Sequence, residues 1–220
     1  MDILNDIGIK FNTDKSSNGH NYLRKYQKYL PFSRKDHIRI LEIGVFEGAS
    51  LKTWSEYFYN SEIVGADINP ECKSIESDNI KIEIGSQNDQ VFIESLFEKY
   101  GDFDLVIDDG SHLNSDIIFS FEKIFPRLKS GGIYVVEDAC TSYWKEYGGG
   151  YLKENTAIEY FKNKIDESNF FGERLNSDPG WHFRDDDKLI NQFSSNGINL
   201  IGFSIESIIF INSIIIVTKR

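Results

Sequence analysis

Cysteine is scarce in this sequence: Cys72 and Cys140 are the only two among 220 residues. They have neither the density of a disulfide-stabilised secreted domain nor the spacing of metal ligands. Long hydrophobic runs are also missing, because the most apolar stretch, residues 205–217, is interrupted by Glu206 and Asn212. That stretch is too short and too polar to span a bilayer. The sequence does not open with a basic segment followed by an apolar one, so we expect a cytoplasmic protein.

Positive charge is the second scarcity. The chain has 24 lysines and arginines against 35 aspartates and glutamates, which gives a net charge of -11. This imbalance argues against nucleic acid or an anionic membrane as the main partner. It fits a neutral small molecule, or acids gathered around a cation. With 40% hydrophobic residues, 27% charged residues and four prolines, the composition is typical of one globular domain.

The chain does contain a regular alternation of short apolar runs and amphipathic stretches, which is typical of an α/β fold. The apolar runs predict strands at residues 38–43, 62–67, 80–85, 103–107 and 133–136, and a closing pair at 197–203 and 207–217. Helices are predicted at 51–58, 90–100, 115–128 and 152–165. We therefore expect a Rossmann-like sheet of seven mostly parallel strands, with helices on both faces and an antiparallel last strand.

Acidic residues follow two of the predicted strands at the point where each strand ends. The predicted strand at 103–107 is followed by two acids, a glycine and a histidine: Asp108, Asp109, Gly110 and His112. The predicted strand at 133–136 is followed by two more acids, Glu137 and Asp138. Ligands bind at the carboxyl ends of strands in open α/β sheets, so these residues predict a reaction centre. Four clustered carboxylates repel one another unless protons or a cation compensate, and oxygen ligands favour a hard ion such as Mg²⁺.

A glycine-bearing turn joins the first predicted strand to the first predicted helix, where a ligand could approach the backbone closely. The dinucleotide fingerprint requires glycine where this chain has Phe46 and Ala49, which disfavours a nicotinamide enzyme. The turn instead has Glu42, Gly44 and Gly48 at a spacing that fits a nucleoside ligand without a pyrophosphate.

Polar residues also follow the second and third predicted strands. Asp67 lies about twenty residues beyond the glycine turn, where a carboxylate that binds both ribose hydroxyls is expected. The alternative is that Asp67 caps the following turn, although Asn69 could serve there instead. The polar residues 86–89 could cap the next helix through Asn88 or Asp89, or Ser86 and Gln87 could instead reach an adenine edge.

The N-terminal region departs from the alternating pattern. A polar turn at residues 13–15 and His20 precede a predicted helix, in which Tyr26 and Tyr29 share one face. Packing on the sheet accounts for the tyrosines. The polar turn and His20 are harder to explain by packing.

The region after the acidic strand ends is also unusual. Residues 141–150 are aromatic and rich in glycine, which predicts a mobile loop over the site. Residues 169–187 predict irregular structure that shapes a substrate pocket or a subunit contact. The three aspartates at 185–187 favour a solvated helix start over a metal site.

The glycine turn, the acid after the second strand and the closing strand pair together resemble class I S-adenosylmethionine-dependent methyltransferases over roughly residues 38–220. A narrower resemblance is to the metal-dependent sugar O-methyltransferases of the mycinamicin and macrocin type. The segments that carry it are residues 13–15 with His20 and Tyr22, 41–45, 107–112, 136–138, 141–144 and 147–149.

This resemblance implies S-adenosylmethionine as methyl donor, Mg²⁺ as the metal, a carbohydrate or other small-molecule acceptor, and a homo-oligomer. The donor would be bound by Glu42, Gly44, Gly48, Asp67, Ser86, Gln87 and Asp108. Within that set, Glu42 and Gly44 would line the methionine end, and Asp108 would contact the donor or buttress the site.

The same resemblance assigns the metal and the acceptor. Mg²⁺ would be bound by Asp109, Glu137 and Asp138, with His112 as general base, and the acceptor by Tyr143, Trp144 and His20. The chain departs from the family's pattern in its last strand, at Ile209, Ile211 and Asn212. The chemistry also fits without the family, because a metal-bound diol loses a proton easily to an imidazole.

Several alternatives stay open at this point. His112 could be a histidine at a helix start with no catalytic role. The acceptor could carry nitrogen, as in an amine or a phosphoramidate, or the chain could be a related metal-dependent hydroxylase. A third possibility is a nucleoside-binding module without turnover. We expect one domain in four parts: a cap at 1–36, a donor-binding half at 37–140, a loop and insert at 141–196, and a strand pair at 197–220.

Overall fold

The protein is described here by a computed structural model, which covers residues 2–169 and 201–220. The described residues form one seven-stranded sheet in the order β3-β2-β1-β4-β5-β7-β6. Its strands are β1 Arg39–Ile43, β2 Glu62–Asp67, β3 Ile80–Ile84, β4 Leu105–Asp108, β5 Ile133–Val136, β6 Ile205–Ile211 and β7 Ile214–Lys219.

The strand directions confirm the predicted fold class. Strands β1 to β5 pair in parallel, whereas β7 is antiparallel to both β5 and β6. The strand order reverses between β1 and β4, which lie side by side with Ile43 opposite Asp108. In doubly wound sheets this reversal opens a crevice at the carboxyl ends of the strands. The crevice therefore lies beside the predicted acidic strand ends.

In the part of the chain that the structure describes, six α-helices cover the two faces of the sheet: α1 Ile3–Lys10, α2 Tyr22–Tyr29, α3 Ala49–Tyr57, α4 Gln90–Tyr100, α5 Asn114–Ile124 and α6 Ala157–Asn169. One core contains Leu23 and Trp54, from α2 and α3, and the other contains Phe97 and Phe161, from α4 and α6. Neighbouring strand residues enter opposite cores because side chains alternate along a strand. Parallel strands buried on both faces read as continuous apolar runs, which is why the sequence located them well.

The closing strand pair was predicted in the wrong place. Residues 201–204 form a 3-10 turn, and the hairpin turn falls at Asn212 and Ser213, inside the predicted single strand 207–217. Ser213 has a φ of 63°, the left-handed conformation that a tight turn requires. The apolar residues on both sides of this turn look like one strand in the sequence. Residues 197–200 lie outside the described residues.

Three helix predictions also need correction. Helix α1 was not predicted, and α6 begins at Ala157 and not at residue 152. Helix α5 ends at Ile124, four residues early, and Phe125–Arg127 continue as a 3-10 turn in which Pro126 has no N–H to donate. The predictions for residues 170–187 lie outside the described residues. Among the helices that the structure describes, none has the length and apolarity needed to cross a bilayer.

Candidate active site

The two acidic strand ends lie side by side. Asp108 pairs with Val136 in the β4–β5 register, so the acids that follow both strands meet at one edge of the sheet. Asp108 and Glu137 are buried, with 2% and 1% of their surface exposed. The side chains of Asp109 and Asp138 are 22% and 24% exposed. We call Asp108 and Glu137 the inner acids, and Asp109 and Asp138 the outer acids.

The inner acid Asp108 is held by neighbouring side chains and by the backbone N–H of Gly110. Its carboxylate accepts hydrogen bonds from Ser120 Oγ at 2.6 Å, Tyr134 OH at 2.9 Å and Gln87 Nε2 at 3.1 Å. Burial raises the pKa of Asp108, although these hydrogen bonds oppose the increase. Asp108 lines none of the four cavities that the described residues form around the site. Its geometry therefore fits buttressing better than contact with a donor.

The inner acid Glu137 is held by the N-terminal segment. It accepts hydrogen bonds from Tyr26 OH at 2.6 Å and from Lys15 Nζ at 2.7 Å. Burial raises the pKa of Glu137, and the charge of Lys15 opposes that increase. The Lys15 ammonium also bonds to Asp109 Oδ2 and lies 3.7 Å from Glu42 Oε1. One buried ammonium thus contacts three carboxylates.

The outer acids lie with His112. One ligand atom from each of Asp109, His112 and Asp138 lies within 4.8 Å of the others, and all three residues are partly exposed. Two carboxylates and an imidazole fit a divalent cation. The sequence-based ligand set is therefore divided: Asp109 and Asp138 lie together, whereas the Glu137 carboxylate contacts Lys15 and Tyr26 and lies outside this cluster. The metal prediction for Glu137 stays a prediction.

Two residues of this cluster have unusual backbone geometry. His112 has a φ of 57° and Asp138 a φ of 49°, both in the left-handed region. For residues with a side chain, this conformation costs free energy and is retained mainly where the surrounding structure enforces it. The strain orients both side chains toward the same cavity, which is consistent with a functional role for the cluster.

The glycine turn has a packing explanation that the sequence did not reveal. Gly44 has a φ of 88°, and a Cβ there would collide with the backbone carbonyl of Asp109. Gly44 therefore lets the β1 turn approach the end of β4, and it also lines three of the cavities. Gly48 precedes α3 with a φ of 73°, and a Cβ there would collide with Ile75. Gly48 lines none of these four cavities, so its donor-binding role stays a prediction.

Asp67 is engaged by the loop that it faces. Its carboxylate accepts hydrogen bonds from the backbone N–H groups of Val45 at 2.7 Å, Phe46 at 3.2 Å and Asn69 at 2.8 Å. Burial favours a higher pKa, but the backbone N–H groups outweigh it, so the pKa of Asp67 is lowered and the group is anionic. Asn69 caps the next turn by accepting from the N–H of Glu71 at 3.0 Å, as the sequence suggested.

The predicted donor residues border two cavities in the crevice. A cavity of about 670 Å³ is lined by Asp67, Gly44 and Asp109, and one of about 270 Å³ by Asp67, Ser86 and Gln87. The cap predicted at Asn88 or Asp89 is Asp89, whose carboxylate accepts from the backbone N–H groups of Val91 and Phe92 at the start of α4. The buried Gln87 also accepts from the backbone N–H of Ser111 at 2.7 Å.

Glu42 lies deeper than its predicted role suggested. Its buried carboxylate accepts hydrogen bonds from Trp54 Nε1 at 2.8 Å and Ser50 Oγ at 2.9 Å. Burial raises the pKa of Glu42, and the charge of Lys15 opposes this. Glu42 borders a third cavity of about 350 Å³, which is also lined by Lys15 and by the outer acids with His112.

A fourth cavity of about 340 Å³ lies on the other side of the cluster. His20, His112, Asp138, Trp144 and Tyr147 line it, so two of the three predicted acceptor residues are present. The third, Tyr143, is half exposed and does not line this cavity. The loop that carries them forms 3-10 turns at Ala139–Tyr143 and Lys145–Tyr147, and its predicted mobility stays a prediction.

Sequence reasoning gave no role to three residues of the N-terminal segment that contact the acids. They are Lys15, Tyr26 and Tyr22, whose OH donates to Asp138 Oδ1 at 2.5 Å. Burial and the bond to Asp138 raise the pKa of Tyr22, so its hydroxyl remains a donor. The available signals were the polar turn at residues 13–15, which packing alone did not explain, and the place of Tyr22 in a segment that carries the resemblance.

No family model matches the sequence. The sequence is 36% identical over 153 residues to demethylmacrocin O-methyltransferase of Streptomyces fradiae, covering 66% of this chain and 38% of that protein. It is 35% identical over 178 residues to L-olivosyl-oleandolide 3-O-methyltransferase of Streptomyces antibioticus, covering 76% of this chain and 46% of that protein. The chain thus spans less than half the length of these curated relatives.

Solved structures show the same relationship. The fold is similar to that of the MycE methyltransferase of the mycinamycin biosynthetic pathway in complex with Mg and SAH, with a TM-score of 0.82 and 29% identity. That match covers 98% of this chain and 54% of MycE. MycE with Mg, SAH and mycinamycin VI gives a TM-score of 0.80 at 27% identity, over 99% of this chain and 54% of that one. The predicted resemblance is therefore confirmed in sequence and in fold.

Proposed function

We propose that this chain, a relative of the sugar O-methyltransferases of macrolide and tetracenomycin pathways, transfers a methyl group from S-adenosylmethionine to a sugar hydroxyl with the help of Mg²⁺. The observation that carries the proposal is the position of the outer acids and His112. Asp138 and His112 line both the 350 Å³ cavity, which also borders Gly44, and the 340 Å³ cavity beyond it. The cluster thus separates a donor side from an acceptor side.

The chemistry of the cluster suits an alcohol acceptor. A sugar hydroxyl is a weak nucleophile near neutral pH because almost none of it is ionised. Bound Mg²⁺ would supply Lewis acidity that stabilises the developing alkoxide. Asp109 and Asp138 are the protein ligands that we assign to the ion, with Glu137 directly behind them.

His112 is the base that we assign to the reaction. Its Nε2 lies 3.9 Å from Asp138 Oδ2, which places the ring beside the assigned metal ligands. Its ring borders the acceptor-side cavity, where a bound hydroxyl would lie within reach. His20 and Trp144 border the same cavity and are the side chains that we assign to the acceptor.

The donor fits the crevice between the glycine turn and the end of β4. Asp67 is anionic and borders both donor-side cavities, as a ribose-binding carboxylate should. Ser86 and Gln87 border the smaller cavity, where we place the adenine. The 670 Å³ cavity is in the usual range for small-molecule sites, and the 270 Å³ cavity shares Gly44, Asp67 and Gly110 with it. In-line transfer requires donor and acceptor to be held in contact, and the cluster lies where the two sides meet.

Several finer points belong to the same proposal. The acceptor is a sugar in a polysaccharide precursor or in a glycosylated natural product, and the enzyme is cytoplasmic and homo-oligomeric. A nitrogen acceptor is disfavoured because the curated relatives are named as O-methyltransferases. A module without turnover is disfavoured because the outer acids and His112 are together at the cavity border.

The test is a methyl-transfer assay with a panel of free sugars, nucleotide sugars and glycosides, in which S-adenosylhomocysteine formation is measured. We expect turnover with at least one sugar acceptor, loss of turnover in EDTA and recovery when Mg²⁺ is added in excess. The matched control is an amine panel under the same conditions. Full turnover in chelator, or transfer to amines alone, would contradict the proposal.

A further inference from the structure

Lys15 is a buried, charged side chain to which the proposed reaction assigns no role. Only 2% of its side chain is exposed, although it belongs to a polar turn near the N terminus. Its ammonium bonds to Asp109 Oδ2 and to Glu137 Oε2 at 2.7 Å, and lies 3.7 Å from Glu42 Oε1. An ammonium in this position must be explained, because burying a lysine is costly unless its charge is compensated.

Hydrogen bonds within the N-terminal segment hold Lys15 against the carboxylates. The backbone carbonyl of Lys15 accepts a hydrogen bond from the N–H of Leu23 at 3.0 Å, which ties the polar turn to the start of α2. From α2, Tyr26 donates to Glu137 and Tyr22 donates to Asp138. The ammonium therefore lies among three carboxylates, which together compensate its charge in the interior.

The two oxygens of each carboxylate can have different partners. Lys15 donates hydrogen bonds to Oδ2 of Asp109 and Oε2 of Glu137, whereas Tyr26 donates to Oε1 of Glu137. Asp109 also contributes one carboxylate oxygen to the cluster with His112 and Asp138. Lys15 is 2% exposed, whereas the Asp109 side chain is 22% exposed and borders the 350 Å³ cavity, so the ammonium holds the carboxylates from the buried side.

We propose that Lys15 is a positioning residue: a tethered cation that holds Asp109 and Glu137 from the inner side, so that a divalent ion binds from the outer side only. This inference deepens the proposed function and rests on its metal site. The tethered charge also limits how tightly the site binds a divalent ion, because like charges repel at close range. It keeps the carboxylates separated and correctly oriented when the ion is absent.

If Lys15 has this role, its removal should change the stability of the metal-free protein and the affinity for a divalent ion in opposite directions. Without the ammonium, the carboxylates lose their internal counter-ion, so the metal-free protein becomes less stable. The same loss removes a repulsive charge, so the affinity for a divalent ion increases. A lysine with a purely structural role would instead lower both quantities, because a disordered site binds the ion less well.

The experiment compares the wild-type full chain with Lys15→Met and Lys15→Arg, without donor or acceptor. Mn²⁺ is the probe, free Mn²⁺ is measured by electron paramagnetic resonance, and thermal unfolding is recorded with and without the ion. For Lys15→Met we expect Mn²⁺ affinity at least about tenfold higher, and a metal-free unfolding midpoint lower by about 10 °C. Saturating Mn²⁺ should stabilise this variant more than the wild type. Lys15→Arg keeps the charge and should stay within about twofold of wild-type Mn²⁺ affinity.

If Lys15→Met does not fold, a second pair of variants measures the effect of Lys15 on Mn²⁺ binding. Glu137→Gln removes one buried acid, and Lys15→Met/Glu137→Gln removes the ammonium and the acid together. The double variant should fold better than Lys15→Met and bind Mn²⁺ more tightly than Glu137→Gln.

Unchanged or weaker Mn²⁺ binding on removal of Lys15, in either background, would overturn the role of Lys15. Absence of Mn²⁺ binding in the wild type and in all variants would instead contradict the proposed metal site itself, and with it this inference.

Discussion

The inner acids, Asp108 and Glu137, and the outer acids, Asp109 and Asp138, are adjacent in sequence but have different surroundings. Each inner acid is buried and hydrogen-bonded by side chains from other elements. Each outer acid is about a quarter exposed and borders a cavity. Glu137 and Asp138 both lie beyond the end of β5, and Asp138 has a left-handed φ of 49°, so the division depends on the elements packed around each strand end and not on strand alternation.

The difference in exposure suggests that the inner acids contribute to stability and the outer acids to the reaction. A buried carboxylate must keep its partners, because a donor left without its acceptor costs free energy. A partly exposed carboxylate can exchange its partners and accept an ion. We therefore expect changes to the inner acids to act mainly on stability, and changes to the outer cluster mainly on turnover. Four predictions test that division, ordered from the largest expected effect to the smallest.

His112→Ala should lower turnover by about a thousandfold, because general-base catalysis contributes on that scale. Donor binding, measured by calorimetry, should remain intact, since His112 lines the acceptor-side cavity and neither of the two donor crevice cavities. Mn²⁺ affinity should also stay close to that of the wild type. Loss of donor binding would count against the base assignment, and loss of Mn²⁺ binding would make His112 a ligand.

Asp138→Asn should lower turnover by about a hundredfold at limiting Mg²⁺, because the amide is a weaker ligand and carries no charge. Higher Mg²⁺ should restore part of the rate. The unfolding midpoint should change little, since the residue is partly exposed. Thermal unfolding and a Mg²⁺ titration of the rate provide the two measurements. If stability fell as much as turnover, the division into inner and outer acids would be wrong.

Asp108→Asn should lower the free energy of unfolding by about 2 kcal/mol, because Ser120 and Tyr134 lose a charged acceptor. Turnover per folded molecule should fall far less than for Asp138→Asn. Urea unfolding and active-site titration measure the two effects separately. A large loss of turnover at unchanged stability would place Asp108 in contact with the donor.

Tyr134→Phe should lower the free energy of unfolding by about 1 kcal/mol, since it removes one hydrogen bond to Asp108 and leaves the ring packed against Phe121. The control is Tyr59→Phe, whose ring is exposed and which should be neutral. Equal effects of the two changes in urea unfolding would show that the Asp108 network contributes little to stability.

The fold and the site were predictable to different extents. Apolar runs located β1 to β5 to within two residues at each end, because strands buried on both faces leave a strong local pattern. The hairpin at Asn212 and Ser213 was missed, because the local signal for a turn is weak within a long apolar run. Similarly, the roles of the individual site residues, taken from a resemblance, stay predictions until the variants are measured.

Local features of the sequence indicate the class of chemistry expected of this protein. Acids at the ends of two strands, a histidine after one of them and a glycine turn after the first strand are local features, and the strand order follows from general rules of sheet topology. Which acids are buried and which are partly exposed depends on contacts between residues far apart in the sequence. Lys15 lies 94 residues from Asp109 and 122 from Glu137, so no local pattern links them. Asp108 and Glu137 can be buried because side chains distant in the sequence donate hydrogen bonds to their carboxylates, whereas Asp109 and Asp138 remain open to the cavities.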